Sequence, residues 1–230
     1  MIMDITGADN QVRTGANVRV EGEIVGDDNV VEIGDAQEDS ALTLSIRGDG
    51  NRIRIGNSVQ LKGLRIRVGT HVAADATRLT IADGFSVEWN TQFLLPNSGN
   101  TLTIGANCMF SNSIVIRCGE SPHLLFDLET GRYLDTSSRT VVGDHVWMGE
   151  GVYVTKRAEI ASEIIVGAFS VVTGQFAEEH VVIAGNPARV TRKGVRWIRN
   201  PSLLTPGSPE HDSYHAHMQG YAKINAVDPA

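Results

Sequence analysis

Aliphatic residues recur at every sixth position through the C-terminal half of the chain, at Val142, Met148, Val154, Ile160, Val166 and Val172. The next position is small in each unit: Gly143, Gly149, Thr155, Ala161, Gly167 and Thr173. The fifth is mostly aliphatic or small: Val146, Val152, Ala158, Ile164, Ser170 and Phe176. A period of six fits neither a heptad nor an isolated amphipathic strand. It predicts a parallel β-helix, in which each short strand contributes one inward side chain and then turns a corner. The small second residues are expected to let the backbone bend there.

Upstream the same plan is looser. Residues 7–15, 26–34 and 48–56 share a Gly, two turn formers, an Asn, alternating apolar positions and a closing Gly. Asn and Gly tolerate left-handed backbone, so these segments are expected to be tight corners. Weaker echoes follow at 79–81 and 100–105. The anchors Val12, Val31, Ile53, Leu79 and Leu102 are 19, 22, 26 and 23 residues apart. A three-sided coil takes about 18 residues, so the surplus is expected in small loops. The pattern predicts an all-β solenoid over residues 1–192, followed at 193–230 by a cap or arm, extended or partly disordered, in which Trp197 is the main anchor.

The repeat breaks once. It runs through Ile104, Phe110 and Ile116 and resumes at Val142, leaving residues 117–141 as an excursion. A long loop that carries His123, Glu120, Asp127, Arg132 and Asp135 among apolar anchors reads as an active-site loop rather than a disordered one. A net charge of −7 argues against a nucleic-acid binder, which needs a clustered basic face. No run approaches membrane-spanning length and the start lacks a basic head followed by an apolar stretch, so the expected location is cytoplasmic. Cys108 and Cys118 are too few for a disulfide framework and lack a zinc pattern, and are expected to be buried thiols.

Four stretches carry a resemblance: the histidine-bearing excursion, Val-Val-Gly-Asp-His-Val-Trp-Met-Gly at 141–149, Ile-Val-Gly-Ala-Phe-Ser-Val-Val-Thr at 165–173, and Ala-Gly-Asn-Pro-Ala-Arg-Val at 184–190. Together they resemble the hexapeptide-repeat acyltransferases, in the branch that O-acetylates sugars and polysaccharides. The diagnostic stretch is residues 104–197. The resemblance implies a left-handed helix, a homotrimer, acetyl-CoA as co-substrate, a saccharide acceptor, no metal and a role in polysaccharide biosynthesis.

Acetyl transfer to an alcohol needs a base for the hydroxyl proton and stabilisation of the oxyanion formed on attack. A histidine, with an ordinary pKa near ~6.5, suits the first task at neutral pH. His123 is the candidate by its place in the loop. A carboxylate could orient it, and Glu120, Asp127 and Asp135 are available. Relatives commonly read Ser-Asp-x-His here, whereas this chain has Glu120-Ser-Pro-His123, so Ser121 fills the acid's slot. His145, in Gly-Asp-His-Val-Trp, is the rival base or, with Asp127, a substrate contact. The resemblance assigns coenzyme A to Gly149, Ala168, Ser170 and Thr173, with Trp147 near the reacting end. Its phosphates fall to Arg189, Arg192 and Lys193, a basic cluster in an acidic chain. His71 and His180 read as turn residues, and His211, His215 and His217 as a polar tail.

Two other classes share the fold. A β-helical carbonic anhydrase needs three histidines around zinc, and the solenoid histidines form no close pair. A non-catalytic β-helix for binding or assembly is the second.

Overall fold

The computed structural model describes residues 2–136 and 138–225, with side chains through 220. The chain opens with β1 (Ile2–Thr6), β2 (Gln11–Thr14), β3 (Val18–Val25), β4 (Val30–Ile33), β5 (Ser40–Arg47), β6 (Arg52–Ile55) and β7 (Gln60–Val68). Next come β8 (Arg78–Ile81), β9 (Ser86–Val87), β10 (Gln92–Leu95), β11 (Thr101–Ile104), β12 (Met109–Phe110) and β13 (Val115–Arg117). Beyond the excursion lie β14 (Arg139–Val142), β15 (Trp147–Met148), β16 (Tyr153–Val154), β17 (Glu159–Ile160), β18 (Ile165–Val166), β19 (Val171–Val172) and β20 (Gln175–Phe176). An antiparallel hairpin of β21 (Val181–Gly185) and β22 (Ala188–Lys193) ends the series.

Strands β2, β4, β6, β8, β11, β14, β17 and β20 stack in parallel as one face, so the solenoid has eight coils. The anchors Val12, Val31, Ile53, Leu79 and Leu102 lie directly opposite one another in that face. Alternation explains the choice of residues: Val31, Ile33, Ile53, Ile55, Leu79, Ile81, Leu102 and Ile104 point inward and are buried, while their neighbours face out. Phe85, Phe93 and Phe110 fill the middle of the core, with ring centroids 5.0 to 6.3 Å apart in tilted and edge-on pairs.

The three-sided coil expected throughout holds only from β8 onward. Earlier coils have two strands each, because β3, β5 and β7 run unbroken over both remaining sides. The change occurs at Gly63. Lys62 and Leu64 oppose Ala41 and Leu42, which leaves Gly63 bulged at φ 72°. Beyond that bulge β7 forks: Gln60 and Leu61 pair with β9, whereas Arg65 to Val68 pair with β10. From the fork, a second face runs β9, β12, β15, β18, β21 and a third β10, β13, β16, β19.

The Gly-x-x-Asn corners are built differently from the sequence expectation. In residues 26–29 the left-handed residue is Asp28, not the Asn, and Asp9 and Gly50 hold the same place in their corners. The Asn goes inside. Asn10, Asn29, Asn51 and Thr77 form a ladder up the coils: Asn51 Nδ2 donates to Asn29 Oδ1 (2.9 Å), and Asn51 Oδ1 accepts from the Thr77 amide (2.9 Å) and hydroxyl (2.6 Å). The outer Asp of each corner accepts an amide from the coil before, Asp27 from Ala8 (2.7 Å) and Asp49 from Asp27 (2.8 Å). Small second residues likewise serve stacking rather than bending: a Cβ at Gly143 would lie 2.5 Å from the Ser162 amide nitrogen of the next coil.

A second compact unit comprises residues 197–230. Its described part holds a short 3-10 turn, Pro201–Leu203, and α1 (Pro209–Asn225). The extended arm expected from composition is therefore helical over this stretch; α1 is polar nearly all round and gives no apolar period to read. Trp197 is buried. Among the described residues no helix is long and apolar enough to cross a membrane. Neither cysteine forms a disulfide, both are buried, and burial pushes the Cys118 thiol up to about 12 against the opposing pull of the Thr140 hydroxyl.

Asn51→Ala removes the centre of the interior ladder and strands the polar groups of Asn29 and Thr77. A loss of about 2–4 kcal/mol of stability is expected, read as a fall in urea midpoint at unchanged m-value.

Candidate active site

The excursion leaves β13 and returns to β14, and its base is a charged knot. Asp135 is 1% exposed; its Oδ1 takes the Lys156 ammonium at 2.6 Å, and its Oδ2 accepts from the Asn97 side chain and the Glu120 amide, each at 2.8 Å. Burial works to raise the Asp135 pKa, but the hydrogen bonds from Lys156, Glu120 and Asn97 outweigh it and hold the carboxyl below its ordinary range. Asn97 Oδ1 accepts the Ser121 amide (3.2 Å), just before a cis Ser121–Pro122 bond. The base thus fixes the segment that presents His123. Beyond it the loop makes a small hairpin, with Phe126 bridged to Tyr133 and Leu124, Leu125, Phe126 and Leu128 all exposed.

His123 is exposed, and its ring makes no hydrogen bond among the described residues. Glu120, one of the three carboxylates available to orient it, is engaged elsewhere, with Arg117 at 3.3 Å and Lys156 at 3.7 Å. Asp127 closes its own turn by accepting from the Thr130 amide (2.8 Å) and hydroxyl (2.7 Å), bonds that lower its pKa. As a substrate contact it would have to give up these bonds.

His145 sits differently. It occupies a corner in left-handed backbone, φ 51°, and its Nδ1 lies 2.8 Å from a carboxylate oxygen of Glu163. Glu163 stands one coil later in the same corner slot, also left-handed at φ 60°. This His-carboxylate pair was not foreseen, although a spacing of one full coil in the hexad register points to it.

The second face gathers most of the residues assigned to coenzyme A. Met109, Trp147, Ile165 and Val182 share one outward register, and Val182 faces Arg192 across the terminal hairpin. Beside that row runs a strip of small residues. A Cβ on Gly149 would meet the Ala168 nitrogen at 2.7 Å, and one on Gly167 would meet the Ala184 Cβ at 3.0 Å. Ala184 in turn pairs with Arg189. The hairpin register shifts at Thr191, so Arg189 and Arg192 oppose Ala184 and Val182 on one face. With strands spaced about 4.8 Å, the arginines end a row about 14 Å from Trp147.

Three expected contacts fall outside this face. Lys193 opposes inward-facing Val181 and pairs with Glu178 at 2.6 Å. Ser170 is fully buried; its hydroxyl donates to the Gly167 carbonyl (2.7 Å) and accepts the Gly185 amide (3.1 Å), which makes it a brace for the corner rather than a ligand contact. Thr173 is exposed but follows β19 on the third face, whereas Ala168 is exposed beside Gly149 at the edge of the second.

In a three-sided coil each face has one opposite corner. The excursion leaves from the corner between the third and first faces, opposite the second face that carries Trp147. Within one chain, His123 and the Trp147 row therefore lie on opposite sides of the solenoid.

The fold is the left-handed parallel β-helix found in hexapeptide-repeat acyltransferases, and the chain is similar to that group in sequence as well as in shape. It is 27% identical over 164 residues to the polysialic acid O-acetyltransferase of Escherichia coli O1:K1, which covers 71% of this chain and 48% of that protein. The chain thus spans about half the length of this curated relative. The crystal structure of NeuO, a polysialic-acid-specific acetyltransferase, matches with a TM-score of 0.78 at 22% identity, over 94% of this chain and 97% of that one. An N-acyltransferase from Bacillus cereus, solved with a dTDP-linked amino sugar and coenzyme A, matches with a TM-score of 0.50 at 13% identity, over 88% and 90% of the two chains. No family model matches the chain.

The depressed Asp135 pKa stabilises the fold above the ordinary carboxylate range near ~3.9, and that contribution is lost as pH falls through the folded value. Wild-type stability should decline below about pH 4, and Asp135→Asn should remove part of that slope. Lys156→Met leaves the buried carboxylate uncompensated and should cost about 2–3 kcal/mol at pH 7, with much of it recovered when Asp135→Asn is added. Urea unfolding across the pH series reads both effects.

Proposed function

We propose that this protein transfers an acetyl group from acetyl-CoA to a hydroxyl of a saccharide, in the modification of a polysaccharide. The observation that carries this reading is the second face. An aromatic side chain, a strip of small residues and two co-facial arginines lie in line, matching the thioester end, pantetheine arm and phosphates of coenzyme A in order and spacing. The arm's amides need close backbone approach, which Gly149 and Gly167 allow. Sequence similarity to a polysialic acid O-acetyltransferase supports a saccharide acceptor.

The reaction needs no covalent enzyme intermediate. The His123 imidazole takes the acceptor's hydroxyl proton as that oxygen attacks the thioester carbonyl. The tetrahedral oxyanion collapses with loss of the coenzyme A thiolate, and the imidazolium returns the proton to the sulfur. Because His123 and the Trp147 row lie on opposite sides of one solenoid, the working site forms between copies, one chain giving the loop and its neighbour the second face. A homotrimer closes such a heterologous contact into a ring. The exposed Leu124, Leu125, Phe126 and Leu128 provide apolar surface for the neighbouring chain to cover.

A second assignment of the base rests on one observation. Glu163 on Nδ1 of His145 orients the imidazole and makes Nε2 the nitrogen that would take a proton, the arrangement a general base requires. The two histidines are separated by parallel variants. His123→Ala should lower kcat by roughly 10²–10⁴-fold at near-constant acetyl-CoA affinity, while His145→Ala retains most of it. The reverse ranking would move the base to His145. Arg189→Ala should weaken acetyl-CoA binding about tenfold, some 1.4 kcal/mol by calorimetry, and sedimentation should show a trimer. Absence of acetyl-CoA binding by the wild-type protein would overturn the transferase reading.

A further inference from the structure

The fork at Gly63 creates a second feature, on the N-terminal coils and in line with the coenzyme A row: β9 leads to Trp147 through β12, two strand spacings along the same face. Where β7 divides, a new corner opens between β9 and β10, and Trp89 stands at that corner with 63% of its surface exposed. Its ring lies on the bulged glycine: a Cβ at Gly63 would sit 3.3 and 3.4 Å from two carbons of the indole. The bulge thus does two things at once. It splits the strand, and it provides a flat backbone seat that holds the indole against the coil. Beside the ring is an open cavity of about 550 Å³ lined by Asn17, Arg19, Asp39, Lys62 and Gly63. Lys62 crosses the edge of the platform to pair with both oxygens of Glu88, at 2.8 and 3.0 Å, with both partners still partly exposed.

We propose that this cavity binds a sugar ring of the saccharide acceptor, as an accessory site further N-terminal on the same side of the solenoid as the Trp147 row. The chemistry is complementary. A pyranose has one face of C–H groups that packs on an aromatic plane, and a rim of hydroxyls that donate to carboxylates and accept from ammonium, guanidinium and amide groups. Trp89 offers the plane, and Asp39, Lys62, Arg19 and Asn17 offer the rim. An apolar partner would leave these charged groups desolvated, and a free anion would make no use of the indole. The identity of the ligand rests on the saccharide reading of the acceptor given above. A second attachment point on a polymer raises the effective concentration of its other units at the catalytic site, so the site should favour long acceptors over short ones.

The test uses the whole protein and sialic acid oligomers from the monomer to the long polymer, with neutral glucose oligomers in parallel. The chain has three tryptophans, so indole N–H resonances are few, and the one lost in Trp89→Phe identifies Trp89. Expected results are a shift of that resonance on adding one glycan series, and a five- to tenfold rise in KM for polymer in Trp89→Ala. The KM for the short acceptor, the rate of acetyl-CoA turnover and the melting temperature should stay unchanged. A Trp89 resonance unmoved by both series, or equal KM changes for short and long acceptors, overturns the proposal. So does a change in sedimentation on Trp89→Ala, which would make the indole a contact between copies. The two readings fail separately: glycan binding at Trp89 without any acetyl transfer would sink the transferase reading alone, and transfer with a silent Trp89 would sink this one alone.

Discussion

Every feature of this molecule depends on the coil-to-coil hydrogen-bond register. Each backbone amide on a face pairs with the coil before or after it, so the outward position of any side chain is set by its slot in the coil, not by the loop that delivered it. Trp147, Ile165 and Val182 align because β15, β18 and β21 are in register. The same rule places Glu163 over His145 and Lys156 beside the base of the excursion. A solenoid of this kind can hold a long, narrow ligand along its axis on one face without any element moving.

The register also dictates where small residues are required. A stacked corner brings successive backbones into contact, so the cost of a Cβ is a clash with the next coil: 2.6 Å to the Gly56 carbonyl oxygen at Gly34, 2.5 Å to the Ser162 amide nitrogen at Gly143. Left-handed backbone is a separate demand. It falls on another slot, which accepts His145, Arg157, Glu163 and Phe169 as well as Gly151. A functional side chain can therefore occupy a corner. A left-handed residue normally costs some strain, and here the surrounding ladder of amide bonds sustains it.

These distinctions explain what could be read from the sequence and what could not. The anchors Val12 to Leu102 were legible because a parallel register converts spacing directly into contact. The excursion was legible because it interrupts a period. The role of Asn51 was not, since an Asn beside turn formers looks the same whether it adopts the left-handed turn or feeds an interior ladder. Two-strand coils were equally hidden: β5 and β7 alternate just as two shorter strands would, and only the pairing of Lys62 and Leu64 around Gly63 reveals the fork. In the candidate site, His123 and Trp147 are singled out by motif, whereas the shared face of Arg189 and Arg192 needs the register shift at Thr191. Three residues apart in a regular strand, they would point in opposite directions.

The fork and the excursion answer one architectural problem in two ways. A uniform β-helix presents repetitive, shallow faces, and a shallow face buries little of a ligand. Concavity has to come from breaking the repeat. At residues 117–141 the break is an insertion, whose base is tied together around Asp135 while its apolar tip is exposed. At Gly63 the break is a change of cross-section, which needs no insertion and leaves its aromatic residue fixed on backbone. In the proposed function the first kind yields a site that forms when chains associate. The second lies wholly within one chain, so the proposed trimer would carry three such platforms on its N-terminal coils. An acceptor longer than the distance between the two features can engage both; a single sugar cannot. Chain length, rather than the sugar at the reacting hydroxyl alone, then becomes a property the fold itself can select.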